Sequence, residues 1–373
     1  MRRFALLATG AVLMVTTSAL TTHAQNRGDR RGTDGQQRVT KEQRITNWLS
    51  RMDSNNDGKI ALNESSGQMK ANFRRNDANG DGFIDKEELG SLADRLAGTA
   101  ARSRNPNTGP NRSVLTNEQV VGRVPDGVTA ELDISYRNGN DAWKLDLAMP
   151  SETSDTPRAA IVVIHGGGWV RGDKRWEQFL DLALNYANKG FVCVTVNYRL
   201  DATKLPCIED VKCAVRWLRA HAEEYNINPN RIGAYGNSAG AHLAAMLGVS
   251  HKEERLEGDG PWQRFSSAVQ AVAASATPTL PRIRGGADFA VELIQPMSYV
   301  SADAPPMFLV HEESDPVVPV SQSDDFVKAL KQVGAKDITY KRYNDGSGHG
   351  AFFRNIKETG PAMEAFFART IGK

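Results

Sequence analysis

Cysteine is scarce in this chain: three among 373 residues, at 193, 207 and 213. One of the three must stay unpaired, and the six-residue spacing of Cys207 and Cys213 puts them on different faces of one helix, so no structural disulfide is expected. Cys193 reads as a small buried apolar group on a central strand. Net charge is nearly absent as well, 46 Lys and Arg against 44 Asp and Glu leaving +2. With no interleaving of basic and aromatic residues, that balance gives no case for nucleic acid as a partner. Nor is there an apolar stretch long and pure enough for a membrane span. The one candidate, Phe4 to Leu20, is diluted by Gly10 and several threonines. Preceded by Met1-Arg2-Arg3 and followed by Thr22-His23-Ala24, it has the charged, apolar and small-residue parts of a secretory signal peptide cleaved after Ala24. The expectation is a secreted or periplasmic chain with no membrane span after cleavage.

Ser238 lies in Gly236-Asn237-Ser238-Ala239-Gly240, after the strand-like Arg231 to Tyr235 and before the helix-like Ala241 to Leu247. A serine at the tip of so tight a strand-to-helix turn needs small neighbours two residues away on each side, the context of a nucleophile elbow. About seventy residues upstream, the apolar Ile161 to Ile164 runs into His165-Gly166-Gly167-Gly168-Trp169. The backbone N–H groups of such a loop can aim at an oxygen that becomes negative during acyl transfer. An acid and then a histidine must follow in chain order. Asp315 stands in the loop after the strand-like Pro306 to His311, fixed in direction by Pro316, with Glu312 and Glu313 on the same loop as geometric alternatives. His349 stands in a glycine-rich loop after the strand-like Ile338 to Tyr343. Of the seven histidines, none other suits a base: His165 orders the glycine loop, His242 packs one helical turn past the serine, and His311 ends a buried strand. His221, His251 and His23 lie in polar or targeting segments. The candidate triad is Ser238, Asp315 and His349.

Apolar runs at 160–164, 191–196, 231–235, 269–273, 306–311 and 338–343 alternate with helical patterns, which predicts a mostly parallel sheet covered on both faces. Ile208, Val211, Val215 and Leu218 repeat at helical spacing after Pro206. Glu131 to Tyr136 and Trp143 to Ala148 flank Asn138-Gly139-Asn140 and read as an opening hairpin.

On these motifs, residues from about 130 to 373 resemble an α/β-hydrolase of the hormone-sensitive-lipase-like carboxylesterase group, near the secreted bacterial esterases related to feruloyl and acetyl-xylan esterases. The likeness is carried by His165 to Trp169 with Gly172-Asp173-Lys174, by Asn197-Tyr198-Arg199-Leu200 and by Gly236 to Gly240. It implies that Gly167, Gly168 and Ala239 supply oxyanion N–H groups, and that catalysis needs no cofactor. Two positions depart from the group: Asn237 where Asp is frequent, and Glu312 where a glycine commonly follows the strand-end histidine. Neither removes a catalytic group.

A different chemistry precedes this region. Asp53, Asn55 and Asp57, then Gly58, Lys59 and Glu64, stand at positions 1, 3, 5, 6, 7 and 12 of an EF-hand calcium loop; Asp77, Asn79, Asp81, Gly82, Phe83 and Glu88 repeat the set. Position 7 lends only its backbone carbonyl, so the side chains of Lys59 and Phe83 are no objection. Ile60 and Ile84 fit a short strand pair coupling the loops. The separation of Asp53 and Asp77 is short, so one helix around Ser65 to Asn76 must leave the first loop and enter the second, with some likeness to dockerin repeats. Structural Ca2+ is expected, and a docking partner is not.

The predicted layout is a signal peptide at 1–24, a linker at 25–40, an EF-hand pair at 41–97, a second linker at 98–114 and the hydrolase domain at 115–373. The fold class is α/β, preceded by a small all-α calcium module. The functional expectation is a secreted serine carboxylic ester hydrolase acting on short-chain or carbohydrate-linked esters. The alternative is a calcium-dependent binding or docking protein whose hydrolase domain has lost its chemistry. The connection from Ala274 to Ala304 is short for a lid, which leaves the site open to bulky alcohol portions such as polysaccharides.

Overall fold

The computed structural model describes residues 40–65, 69, 73–77, 79, 81–93, 114–283 and 289–372. The signal-peptide expectation and most of both linkers, at 1–39 and 94–113, lie outside them. Contacts divide the chain into two units, Met1–Gly109 and Pro110–Lys373.

In the first unit, helix α1 (Lys41–Met52) begins at a reciprocal cap: the Gln43 N–H donates to Thr40 Oγ1 at 3.2 Å and the Thr40 N–H donates to Gln43 Oε1 at 2.8 Å. Ile45, Trp48, Leu49 and Met52 recur at helical spacing and pack on the buried Ile60, Met69, Phe73, Ile84 and Leu89. Strands β1 (Ile60–Ala61) and β2 (Phe83–Ile84) pair antiparallel with Ile60 opposite Ile84, and residues 86–93 are helical.

The second unit holds eight strands: β3 (Val128–Ser135), β4 (Lys144–Pro150), β5 (Arg158–Ile164), β6 (Val192–Val196), β7 (Ile227–Asn237), β8 (Ala271–Ser275), β9 (Met307–Glu312) and β10 (Ile338–Tyr343). Their order across the sheet is β10-β9-β8-β7-β5-β6-β4-β3. The β3–β4 hairpin and the β4–β6 pair are antiparallel, and every other pair is parallel. Along β5, Ala160, Val162 and Ile164 enter one core while Ala159, Ile161 and Val163 enter the other. That alternation is why the strand reads as continuously apolar: both faces are covered, and each fully buried branched side chain contributes roughly 1.5–3 kcal/mol.

Helices α2 (Glu177–Ala187) and α6 (Ile356–Thr370) cover one face with Phe179, Ala183, Met363 and Phe367. Helices α3 (Leu205–Ala220), α4 (Ala239–Val249) and α5 (Ser321–Gln332) cover the other with Val215, Leu243 and Phe326. Cys193, Cys207 and Cys213 are buried thiols within these layers. The parallel strands place the loops after β5, β7, β8, β9 and β10 at one end of the sheet, where α/β folds assemble their sites.

Candidate active site

Ser238 is the joint between β7 and α4, with φ 57° and ψ −120°, a conformation that strains any side chain bearing a Cβ. It is held there by its N–H, which donates to Ser275 O at 2.9 Å, and by its C=O, which accepts from the His242 N–H at 3.0 Å. The flanking glycines are compulsory. A Cβ on Gly236 would lie 2.1 Å from Gly240 O, and one on Gly240 would lie 2.2 Å from Ile164 O at the end of β5.

His349 and Asp315 meet this serine from two other loops. His349 Nε2 lies 2.8 Å from Ser238 Oγ, and His349 Nδ1 lies 2.8 Å from Asp315 Oδ2 and 3.1 Å from Oδ1. With an ionised Asp315, the network assigns the proton to Nδ1 and leaves Nε2 to accept from the serine hydroxyl. The Asp315 side chain is fully buried while His349 keeps 27% of its own exposed, so its ring can be reached from solvent. Burial pushes the Asp315 carboxyl upward, but bonds from His311, His349 and the Val317 N–H outweigh it and hold the carboxyl well below the usual carboxylate range. The Val317 and Val318 N–H groups donate to Oδ1 at 2.8 and 3.1 Å, so Asp315 is an oriented carboxylate. The other two acids of that loop point elsewhere: Glu313 pairs with Arg342 at 2.9 Å, and Glu312 accepts N–H groups from the loop before His349.

The glycine loop after β5 touches the serine turn directly, since a Cβ on Gly166 would lie 2.8 Å from Asn237 O and 3.4 Å from Ser238 Cβ. Gly167 and Gly168 follow at φ 118° and 65°. Ala239 opens α4, and the N–H groups of a first helical turn lack intrahelical acceptors. All three candidate oxyanion residues therefore border Ser238 or the loop against it. His165 is buried, stacks on Tyr198 at 4.3 Å and donates through Nδ1 to Gly166 O at 2.7 Å; Tyr198 Oη donates to His165 O at 2.9 Å. Burial pushes its imidazole down to about 4, so it is a neutral brace of the loop.

His242 does more than pack. Its Nε2 donates to Ile294 O at 2.7 Å and its Nδ1 accepts from Trp169 Nε1 at 3.0 Å, fastening the glycine loop's tryptophan to α4. Only its position four residues past Ser238 hinted at this in the sequence. Two of the motifs that carried the resemblance are bonded to each other: the Lys174 N–H donates to Asn197 Oδ1 at 2.6 Å and Asn197 Nδ2 donates to Asp173 Oδ2 at 3.0 Å. Lys174 Nζ and Arg175 Nε reach the buried Asp146 on β4 at 2.7 and 2.6 Å. The segment after the glycine loop is thereby tied to β4 and to the end of β6.

In the first unit, the Gly58 N–H donates to Asp53 Oδ2 at 2.9 Å, the Asp57 N–H to Asn55 Oδ1 at 2.9 Å and the Ala61 N–H to Glu64 Oε2 at 3.0 Å. The second loop repeats these with Gly82 to Asp77 at 3.1 Å, Asp81 to Asn79 at 2.9 Å and Asp85 to Glu88 at 3.1 Å. Gly58 and Gly82 turn at φ 81° and 88°. Lys59 and Phe83 donate backbone N–H to Asp57 and Asp81, both at 2.9 Å. Among the described residues no three His, Cys, Asp or Glu side chains form a ready metal cluster. Among the described residues Asp77 Oδ1 is buried without a hydrogen-bond partner, and the donor set is all oxygen, so the residues fit a hard cation such as Ca2+. Asp85, at position 9 of the second loop, is a carboxylate that the sequence reading passed over; its counterpart Ala61 is not.

Comparison with known proteins follows the same division. Residues 145–280 and 284–330 match the model of the BD-FAE family, and residues 69–93 match that of the EF hand. The chain is 31% identical over 230 residues to a probable carboxylic ester hydrolase, LipM, of Mycobacterium tuberculosis, covering 56% of this chain and 53% of that protein. It is 31% identical over 234 residues to esterase LipQ of the same organism, covering 56% and 54%. The chain thus spans about half the length of the curated relatives it matches. Among solved structures it resembles a truncated form of a carbohydrate esterase from gut microbiota, with TM-score 0.57 and 25% identity over 65% of this chain and 96% of that one. It also resembles Thermogutta terrifontis esterase 2 phosphorylated by paraoxon, with TM-score 0.57 and 27% identity over 65% and 94%.

Proposed function

From the match of residues 145–280 and 284–330 to the BD-FAE family model and the α/β-hydrolase fold, we propose that the chain is a secreted or periplasmic serine carboxylic ester hydrolase. The observation that carries the reading is the hydrogen-bonded series Ser238, His349, Asp315 beside the glycine loop. His349 Nε2 takes the hydroxyl proton as Ser238 Oγ attacks the ester carbonyl, and the N–H groups of Gly167, Gly168 and Ala239 receive the oxyanion. The imidazolium, stabilised by Asp315, returns its proton to the departing alkoxide. Water then attacks the acyl-enzyme with His349 again as base, freeing the acid and restoring the serine hydroxyl.

For substrate, we propose short-chain or carbohydrate-linked esters. The similarity to a carbohydrate esterase supports the second. Val170, Leu200, Leu280 and Val317, exposed apolar side chains that follow the ends of β5, β6, β8 and β9, are the candidates for contact with a small acyl group. In the first unit we propose bound Ca2+ held by Asp53, Asn55, Asp57, the Lys59 carbonyl and Glu64, and by Asp77, Asn79, Asp81, the Phe83 carbonyl and Glu88. Its chemistry there is to neutralise crowded carboxylates and cross-link the loops; it takes no part in ester cleavage. Among the described residues no helix is long and apolar enough to cross a membrane.

The test is turnover of p-nitrophenyl acetate by the purified chain, together with stoichiometric labelling by an organophosphate. Labelling mapped to Ser238 with loss of turnover is expected. Turnover surviving complete labelling of Ser238 overturns the reading.

A further inference from the structure

Glu312 ends β9 fully buried, and among the described residues no lysine or arginine pairs with it. Its carboxylate is instead met by four donors. Oε2 accepts from the Ser314 N–H at 2.9 Å, the Ser314 hydroxyl at 2.8 Å and the Gly348 N–H at 3.1 Å. Oε1 accepts from the Gly346 N–H at 3.3 Å. The donors at 314 belong to the turn that presents Asp315, and those at 346 and 348 to the turn that presents His349. One side chain therefore grips both loops at the residues next to the acid and next to the base.

We infer that Glu312 is a positioning residue for the reaction: it fixes the Asp315 loop and the His349 loop relative to each other, so that the imidazole faces Ser238 before substrate arrives. This rests on the proposed triad. The need for such a grip is written in the base loop itself. Gly346-Ser347-Gly348-His349-Gly350 has three glycines in five residues, the composition that loses most freedom when ordered. It has few side chains of its own to hold it. Asp345 anchors one end, accepting the Ser347 N–H at 2.9 Å and Asn355 Nδ2 at 2.8 Å. Nearer His349, the anchor is Glu312.

A carboxylate suits this task because it only accepts, through two oxygens with room for four donors. Glutamine has one accepting oxygen and would turn an amide N–H2 toward one or more of the same donors. The loop must then shift, and a misplacement of about 1 Å at a reacting group can cost on the order of a hundredfold in rate.

The experiment is Glu312→Gln in the full chain, assayed on a short chromogenic ester and repeated in a His349→Ala background. With His349 present, kcat should fall roughly 10- to 100-fold with KM within about threefold. In the His349→Ala background, the same substitution should change the residual rate by less than about twofold, because the side chain it positions is gone. Equal losses in both backgrounds, or an unchanged kcat in the first, overturn the inference. Should Glu312→Gln fail to fold, Glu312→Asp keeps the charge but falls one methylene short of Gly346 and Gly348; a reduced kcat at unchanged KM supports the assignment and a wild-type kcat overturns it. If His349→Ala by itself retains full activity, the triad reading falls first, an outcome distinct from loss of the Glu312 effect alone.

Discussion

Trp169 donates its indole N–H to Nδ1 of His242 at 3.0 Å, so the glycine loop is tethered to the helix that begins at Ser238. His242→Ala removes a fully buried ring and leaves Trp169 Nε1 and Ile294 O without their partner. Destabilisation of roughly 2–4 kcal/mol is expected from the cavity and the lost bonds together. Activity measured well below the melting temperature should stay within about tenfold of wild type, since His242 takes no proton from substrate. A loss as deep as that of a nucleophile variant would place His242 in the chemistry instead.

Acid should unfold the second unit in a defined window. Burial pushes both His165 and His242 down from 6.5 to about 4. The unfolded chain takes up these protons near 6.5 and the native state only near 4, so their contribution is complete above pH 6.5, falls as pH drops from 6.5 to 4, and is flat below. Each histidine accounts for roughly 3 kcal/mol of that loss. The depressed Asp315 adds a further decline below its ordinary carboxylate range. Urea midpoints followed from pH 7.5 to 4 should track this slope, and His242→Phe, provided it folds, should flatten part of it.

Ser238→Ala should leave a folded chain whose ester hydrolysis is reduced by on the order of a millionfold, with His349→Ala similarly severe. Steady-state assays on p-nitrophenyl butyrate, with near-ultraviolet circular dichroism to confirm folding, read both. Near-normal turnover in either variant removes that residue from the triad.

Short acyl chains should be preferred. Comparing acetyl, butyryl and palmitoyl esters at equal concentration tests this, and faster hydrolysis of long-chain triglyceride emulsions than of acetyl esters would contradict it.

Calcium should act on folding of the first unit and not on ester cleavage. Chelation should melt residues 41–97, seen as lost helical signal and lost protection of Leu89 and Ile60, while turnover of small soluble esters persists. Asp85→Ala should weaken binding by the second loop, lacking one carboxylate, and leave the first nearly unchanged. A chain beginning at Val114 should keep its activity. Loss of turnover on chelation or truncation would make the calcium unit part of the substrate cleft.

How legible all this was depends on the kind of constraint. Gly236 and Gly240 could be read because the backbone admits nothing else there, and they mark Ser238 between them as the turn residue. The parallel strands β5, β6, β8 and β9 could be read because both faces of each are buried. Strand β8 appears at 271–275 where hydrophobicity placed it at 269–273: its last residue, Ser275, is polar but fully buried, and its carbonyl receives the Ser238 N–H. The acid was read as Asp315 through Pro316 alone, with Glu312 and Glu313 of the same loop left as geometric alternatives. Which of them faces His349 depends on N–H groups at 346 and 348, more than thirty residues away, and on Arg342 drawing Glu313 outward. The partners of His242 were invisible for the same reason: Trp169 and Ile294 are distant in sequence.

The collision of a would-be Cβ at 236 with the carbonyl of Gly240, and of one at 240 with that of Ile164, bears on how this gene can vary. In a saturation library selected only for soluble expression, with no demand for turnover, the codons at 236 and 240 should already be depleted of every replacement, while the codon at 238 drifts toward glycine to relieve its left-handed backbone. Abundance and activity would then rank position 238 in opposite order. Lineages that have lost selection for the reaction would be recognised by a glycine in place of the serine, set between two glycines that cannot change.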